Sequence, residues 1–182
     1  MVRDGYAGVV YDLDGTLVRL AVDWPAVRRS VAGVFRSDGR DPSEDSLWDL
    51  LERSAATERL RERVNETIAA HEREGARRSE RLALADECVA VARDRPVGVV
   101  SLNAESACRV ALETHALGDA VGVVVGRDTV SERKPAPAPL RVALDRLGVA
   151  PGNAVFVGDV ARDRECAERA GVDFERVGGR TT

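Results

Sequence analysis

The chain has 182 residues, enough for one buried core or for a core with an insertion. Its hydrophobic fraction of 44% and charged fraction of 32% are ordinary for a folded globular protein. The formal net charge of −4 does not indicate a basic surface that would bind nucleic acid. The first residues lack the basic and apolar regions of a signal peptide, and no apolar run approaches the ~20 residues of a membrane-spanning helix. We therefore expect a cytoplasmic protein that binds neither nucleic acid nor membrane.

Scarce residue types narrow the chemistry further. The cysteines Cys88, Cys108 and Cys166 are far apart without metal-ligand spacing, so we expect buried free thiols. The chain has only two histidines, which argues against a histidine-based metal site or triad. Lys134 is the only lysine among 27 lysine and arginine residues. A single lysine in an arginine-rich chain suggests a position that needs a compact point charge. The alternative is that this lysine remains by chance.

The first half of the chain predicts one strand followed by helices. Residues 6–11 form an apolar run typical of a buried strand. Residues 24–95 show helical periodicity and no strand signal. Helices are predicted from near Asp23, from a capping-box sequence at 41–44, along the stripe Leu60, Val64 and Ile68 with His71 at its edge, and over 79–93.

The second half alternates strands and helices. Apolar runs at 97–101, 120–125, 154–158 and 174–177 predict strands, with helices over 104–114, 139–147 and 163–170 between them. Strand–helix alternation with continuously apolar strands predicts an α/β fold, in which a Rossmann-like parallel sheet is covered on both faces. The helical block after the first strand is then an inserted subdomain.

The most informative segment is Asp12-Leu13-Asp14-Gly15-Thr16, directly after the first predicted strand. Residues two apart in a strand point to the same side, so Asp12 and Asp14 project together. Two adjacent carboxylates repel unless a cation lies between them. The segment favours a metal site, a nucleophile with an acid/base partner, or both, whereas its structural alternative is a strand ending in an Asp-Gly turn.

Further polar side chains follow the other predicted strands. Ser101 ends the second strand, Lys134 follows the third, and Asp159 follows the fourth, with Asp163 one helical turn later. Ligands of open parallel sheets bind beyond the carboxyl ends of the strands. Separate structural explanations for all of these residues are improbable, so we expect them to meet in one site.

These motifs resemble the haloacid dehalogenase (HAD) superfamily, and most closely its phosphoglycolate phosphatase-like branch. Asp12-Leu13-Asp14-Gly15-Thr16, Ser101, Lys134 in Lys-Pro-Ala-Pro, and Gly158-Asp159 through Asp163 match the four motifs of the superfamily in order. The resemblance covers about residues 6–177. It implies a HAD core domain formed by residues 1–19 and 81–182 and an α-helical cap formed by residues 20–80.

The resemblance also implies roles for the matched residues. Asp12 is the expected nucleophile that forms an aspartyl-phosphate, and Asp14 the expected acid and base. Mg²⁺ is expected on Asp12, Asp159 and the backbone carbonyl of Asp14. Asp163 orients Lys134 or a metal-bound water. The expected phosphate-binding residues are Asp12, Leu13, Ser101, Leu102 and Lys134.

The reaction type follows from the same resemblance. Asp14 argues against dehalogenation, and the absence of a lysine from the cap argues against phosphonate cleavage. We expect a Mg²⁺-dependent phosphatase that acts on a small phosphorylated metabolite, as a monomer or homodimer. A phosphomutase and a non-catalytic binding module remain as alternatives. Val160, where serine or threonine is commoner, and Leu102, where asparagine is commoner, depart from the pattern of the superfamily.

Overall fold

The computed structural model describes residues 5–42 and 44–177. Its strands are Gly8–Tyr11 (β1), Val18–Arg19 (β2), Glu80–Arg81 (β3), Val97–Val100 (β4), Val123–Val125 (β5), Ala154–Gly158 (β6) and Asp173–Arg176 (β7). Its α-helices are Trp24–Ser37 (α1), Leu47–Arg53 (α2), Glu58–Arg77 (α3), Leu84–Val91 (α4), Glu105–Thr114 (α5), Ala138–Leu147 (α6) and Ala161–Ala170 (α7). None of the helices in these described ranges has the length and apolarity to cross a membrane.

Five of the strands form one parallel sheet in the order β5-β4-β1-β6-β7. The predicted α/β class with a parallel sheet is confirmed. β1 lies at the centre, between β4 and β6, so the strand order changes direction at this strand. Such a switch point opens a crevice at the carboxyl ends of the strands. The end of β1 is therefore the position at which a ligand site is expected.

Helices cover both faces of the sheet. The side chains of Val9 and Tyr11 pack on the face covered by α4 and α5. Val10 and Phe156 pack on the opposite face, which α6 and α7 cover. Each of these side chains is at most 1% exposed, as expected for parallel strands covered on both sides. Cys88, Cys108 and Cys166 are buried free thiols, as the sequence predicts.

The inserted helices α1–α3 form a hydrophobic cluster of their own, which we call the helical insertion. Its centre contains Val27, Phe35, Leu60 and Val64, all at most 1% exposed. α1 begins as predicted, with Asp23 accepting a hydrogen bond from Ala26 N at 3.0 Å. The prediction for the start of α2 is wrong. The capping box is formed by Ser46 and Asp49 rather than by residues 41–44, of which residue 43 lies outside the described residues.

A short antiparallel ribbon lies where the chain enters and leaves the helical insertion. β2 pairs with β3 through Val18 opposite Arg81 and Arg19 opposite Glu80. The expectation of no strand between residues 24 and 95 is therefore wrong, because two-residue strands have no detectable periodicity. α4 also begins later than predicted, at Leu84, since residues 80–81 are extended.

Candidate active site

Asp12 and Asp14 follow β1 in a tight turn. Asp12 continues the sheet, its backbone N–H donating to Val157 O at 2.8 Å. The carbonyl of Leu13, a fully buried residue, then accepts hydrogen bonds from the backbone N–H groups of residues 16–18. Gly15 takes the left-handed conformation, with φ +85°, that this turn requires. The turn presents both carboxylates on the cavity side and buries Leu13 beneath them.

Lys134 links two carboxylates beneath this turn. Its ammonium donates to Asp12 Oδ1 at 2.7 Å, to Asp163 Oδ1 at 2.6 Å and to the carbonyl of Val100 at 3.1 Å. The side chains of Lys134, Asp12 and Asp163 are 2%, 8% and 0% exposed. Three acceptors around one –NH₃⁺ use all of its protons, which a planar guanidinium cannot do in the same space.

The electrostatics of this cluster follow from burial and charge. Burial raises the pKa of Asp12 to about 6, although the Lys134 ammonium opposes the shift. Burial by itself would lower the pKa of Lys134, but the charges of Asp12 and Asp163 outweigh it and raise that pKa. Lys134 therefore stays charged and holds the Asp12 carboxylate in place.

Asp14 lies in a different environment from Asp12. Its Oδ1 accepts a hydrogen bond from Leu20 N at 2.8 Å, which ties the carboxylate to the segment entering the helical insertion. Partial burial raises the pKa of Asp14 above the usual value of an aspartate. A raised pKa favours the protonated form, which a general acid requires.

Asp159 and Asp163 belong to the loop that follows β6 and to the first turn of α7. Asp163 Oδ2 accepts from the backbone N–H of Val160 at 3.3 Å, so this carboxylate caps α7 while its other oxygen binds Lys134. Asp159 Oδ1 is buried and has no hydrogen-bond partner in the described structure. Burial, reinforced by the charge of Asp163, raises the pKa of Asp159.

The donor set fits a hard divalent cation. One carboxylate oxygen from each of Asp12, Asp159 and Asp163 lies within 4.8 Å of the others. A buried carboxylate oxygen without a partner is costly unless a cation or donor binds it, and Mg²⁺ prefers oxygen ligands. Because Asp163 is committed to Lys134 and to Val160, Asp12 and Asp159 are the carboxylates best placed for the ion. The backbone carbonyl of Asp14 is the further ligand that the resemblance implies.

Ser101 lies at the end of β4, next to β1. Its backbone N–H donates to Val125 O at 2.9 Å, which extends the sheet pairing into the loop. Its hydroxyl donates to Asn103 Oδ1 at 3.1 Å and accepts from Asn103 N at 3.2 Å. The hydroxyl is thus held at the sheet edge by its own loop.

Glu72, which was not among the predicted site residues, braces this loop from the helical insertion. Glu72 lies on α3, is fully buried, and accepts from Asn103 Nδ2 at 3.1 Å, from Ala104 N at 2.9 Å and from Arg127 Nη1 at 2.7 Å. A carboxylate only accepts, so the Asn103 amide must turn its nitrogen to Glu72 and its oxygen to Ser101. Glu72 lies four residues after Ile68, on the face of α3 that carries the apolar stripe. This position in the sequence therefore indicated that the carboxylate is buried.

Most of the predicted residues line one cavity of about 350 Å³. These are Asp12, Asp14, Ser101, Leu102, Lys134 and Asp159. Leu13 and Asp163 lie behind them rather than on the cavity wall. The remaining wall is formed by Gly15, Arg19 and Asn103, by Trp24 and Trp48 of the helical insertion, and by Val160 and Arg162. The last two belong to the five-stranded sheet with its covering helices α4–α7, which we call the sheet domain. A second cavity, of about 510 Å³, is lined by residues of α2, α3 and the 127–133 loop and contains none of the predicted residues.

The sequence of this chain matches a known protein family. The sequence model of the haloacid dehalogenase-like hydrolases matches residues 9–177. A phosphoglycolate phosphatase of Rhodospirillum rubrum is 46% identical over 81 residues, which are 44% of this chain and 34% of that protein. The chain therefore spans about a third of this relative. The phosphoglycolate phosphatase of Escherichia coli K12 is 31% identical over 196 residues, covering 90% of this chain and 78% of that protein.

Solved structures show the same fold. A HAD-superfamily hydrolase of subfamily IA from Geobacter sulfurreducens is 25% identical, with a TM-score of 0.61 over 93% of this chain and 88% of that one. CbbY from Rhodobacter sphaeroides, solved in complex with phosphate, is 21% identical, with a TM-score of 0.65 over 93% and 84%. From the family match and the shared fold together, the chain belongs to the haloacid dehalogenase-like hydrolases.

Proposed function

We propose that the protein is a Mg²⁺-dependent phosphatase that hydrolyses a small phosphorylated metabolite through an aspartyl-phosphate on Asp12. The observation that supports this most is the position of Asp12. Lys134 fixes its carboxylate, one oxygen of which lies within 4.8 Å of an oxygen of Asp159, whose buried Oδ1 has no partner in the described structure. The relatives named phosphoglycolate phosphatase support phosphoryl chemistry for this chain.

The first step forms a bond between an Asp12 oxygen and phosphorus while the bond to the leaving oxygen breaks. Asp14, held by Leu20 N, is placed to donate a proton to that leaving oxygen. The charge of Lys134 stabilises negative charge on the phosphoryl group, and so does the Ser101 hydroxyl once its proton turns from Asn103 Oδ1 to a phosphoryl oxygen. The backbone at Leu13 and Leu102 completes the phosphate pocket. Mg²⁺ held by Asp12, Asp159 and the Asp14 carbonyl would neutralise repulsion between the carboxylates and an anionic substrate.

The second step regenerates the protein. Asp14, now a carboxylate, accepts a proton from water, whose oxygen bonds to phosphorus as the Asp12–phosphorus bond breaks. Inorganic phosphate is the product, and Asp12 returns to its starting state. We assign residues 1–19 and 81–182 to the core domain that performs this chemistry, and residues 20–80 to a cap that excludes bulk water.

Phosphate release tests this function. The full chain is assayed with phosphoglycolate, sugar phosphates and nucleoside monophosphates, with Mg²⁺ and with a chelator. The Asp12→Asn variant is compared with Asp119→Asn, an exposed aspartate outside the cavity, as the matched control. We expect metal-dependent release that Asp12→Asn abolishes and Asp119→Asn retains. Release from no compound by the folded protein with Mg²⁺ present would contradict the proposal.

A further inference from the structure

The mouth of the cavity carries an unusual concentration of exposed apolar surface. Within residues 5–42 and 44–177, the large hydrophobic side chains that remain exposed are Trp24 at 39%, Trp48 at 41% and Val160 at 45%. All three line the cavity that contains Asp12 and Asp14. Scattered single apolar residues on a surface need no explanation, but a contiguous set at one cavity marks a binding surface.

The two tryptophans are not needed for the packing of the helical insertion. Trp24 is the first residue of α1 and Trp48 the second residue of α2. The hydrophobic cluster of the insertion is formed by other side chains of α1–α3, and neither indole belongs to it. Both rings are therefore available to whatever enters the cavity.

Across the cavity, the sheet domain supplies a planar cation and a further apolar side chain. The Arg162 guanidinium lies 5.8 Å from the ring centroid of Trp48, and Val160 precedes it by two residues. Indole rings and guanidinium planes are the groups on which nucleobases stack. Hydroxyl-rich sugars are better held by carboxylates and amides. The carboxylates that line this cavity, Asp12, Asp14 and Asp159, belong to the proposed catalytic and metal site, and the lining amide, Asn103, is already bonded to Ser101 and Glu72.

We infer that the substrate is a phosphate monoester whose leaving group ends in a flat aromatic ring, as in a nucleoside monophosphate. The ring stacks at the Trp48 side of the mouth, with Trp24 and Val160 completing the apolar rim, while the phosphoryl group reaches Asp12. This inference rests on the proposed phosphatase function and names its substrate class. A cavity of about 350 Å³ lies within the range that holds ligands of this size.

The kinetic test uses two substrates that differ only in the base. Steady-state kcat and KM are measured for nucleoside 5′-monophosphates and for ribose 5-phosphate, with wild-type protein and the Trp48→Ala and Trp48→Phe variants. Stacking on one aromatic side chain predicts that wild-type kcat/KM favours the nucleotide by about tenfold or more. Trp48→Ala should bring this ratio close to one by raising KM for the nucleotide, and Trp48→Phe should restore most of it.

Tryptophan fluorescence measures ligand binding at the rim in the absence of turnover. The chain contains two tryptophans, both at this rim, so intrinsic tryptophan fluorescence reports on it alone. In the Asp12→Asn variant with Mg²⁺, a nucleoside monophosphate should quench the fluorescence at lower concentration than ribose 5-phosphate or phosphoglycolate.

The outcomes separate this inference from the function on which it rests. Phosphate release that is equally efficient for ribose 5-phosphate and the nucleotides would overturn the inference and leave the phosphatase function intact. Absence of release from every substrate would overturn the phosphatase function. In that case, failure of the nucleotide to quench preferentially would also overturn the aromatic-ring assignment.

Discussion

The ammonium of Lys134 donates to Asp12 across 122 residues of sequence, at a distance of 2.7 Å. Asp163 accepts from the same ammonium at 2.6 Å. These three residues join three segments of the chain: the turn after β1, the loop before α6, and the first turn of α7. Because all three side chains are buried, this contact supports both the fold and the position of the proposed nucleophile.

Replacing Lys134 should therefore cost stability as well as activity. Lys134→Met leaves two buried carboxylates without their counter-charge, and we expect the free energy of unfolding at pH 7 to fall by about 3–5 kcal/mol. Lys134→Arg should not restore it, because the guanidinium cannot reproduce three short contacts in the same space. Urea unfolding measures both effects. Arg169→Ala, which removes an exposed pair with Glu165, should change stability by less than about 1 kcal/mol. A loss for Lys134→Met as small as that of Arg169→Ala would contradict this account.

Glu72 and Arg127 should behave as one energetic unit. Arg127 Nε and Nη2 have no partner in the described structure, so the contact with Glu72 provides the counter-charge of a guanidinium whose side chain is 3% exposed. Glu72→Met, which leaves the buried Arg127 guanidinium without its counter-charge, should destabilise the protein by about 3–5 kcal/mol. The double change Glu72→Met with Arg127→Met should cost much less than the sum of the single changes, since it removes both charges. Strict additivity in urea unfolding would show that the two residues are not coupled.

Gly15 and Gly33 form a matched pair of glycine-to-alanine tests. A Cβ at Gly15, where φ is +85°, would collide with Asp159 Oδ2, whereas a Cβ at Gly33 within α1 meets nothing within 4 Å. We expect Gly15→Ala to abolish metal-dependent phosphate release because it displaces Asp159. Gly33→Ala should keep that activity and gain about 0.5–1 kcal/mol of stability from helix propensity. Full activity of Gly15→Ala would show that phosphate release does not depend on the position of Asp159.

The three thiols should be inert in the folded protein. Burial raises the pKa of Cys88 and of Cys166 to about 11, and it raises the pKa of Cys108 as well. Thiolate is the reactive form, so little of it exists at pH 8. We expect a disulfide reagent at that pH to label the native protein slowly and to titrate three thiols once urea unfolds it. Rapid labelling of the native protein would contradict the observed burial.

The sheet and the carboxylate centre were predictable because their signals are local. β1, β4 and β6 are continuous apolar runs, and each is followed by a polar residue at the end where parallel strands meet. The start of α2 was not predictable, since two capping sequences, one beginning at Asp41 and the other at Ser46, lie within six residues, and the structure uses the second. Neither the Glu72–Arg127 pair nor the Trp48–Arg162 contact has a local signature, because each joins the helical insertion to the sheet domain.

The phosphorylation state of Asp12 during turnover tests the central claim most directly. The Asp14→Asn variant lacks the proposed acid and base, so it is mixed with Mg²⁺ and p-nitrophenyl phosphate, whose leaving group departs without a proton and leaves only the water step impaired. The sample is quenched in acid and digested for peptide mass mapping. We predict one phosphoryl group on the peptide that contains Asp12, and none in a matched Asp12→Asn sample. Turnover that proceeds in Asp12→Asn, or a phosphoryl group on another peptide, would contradict the assignment of Asp12 as the nucleophile.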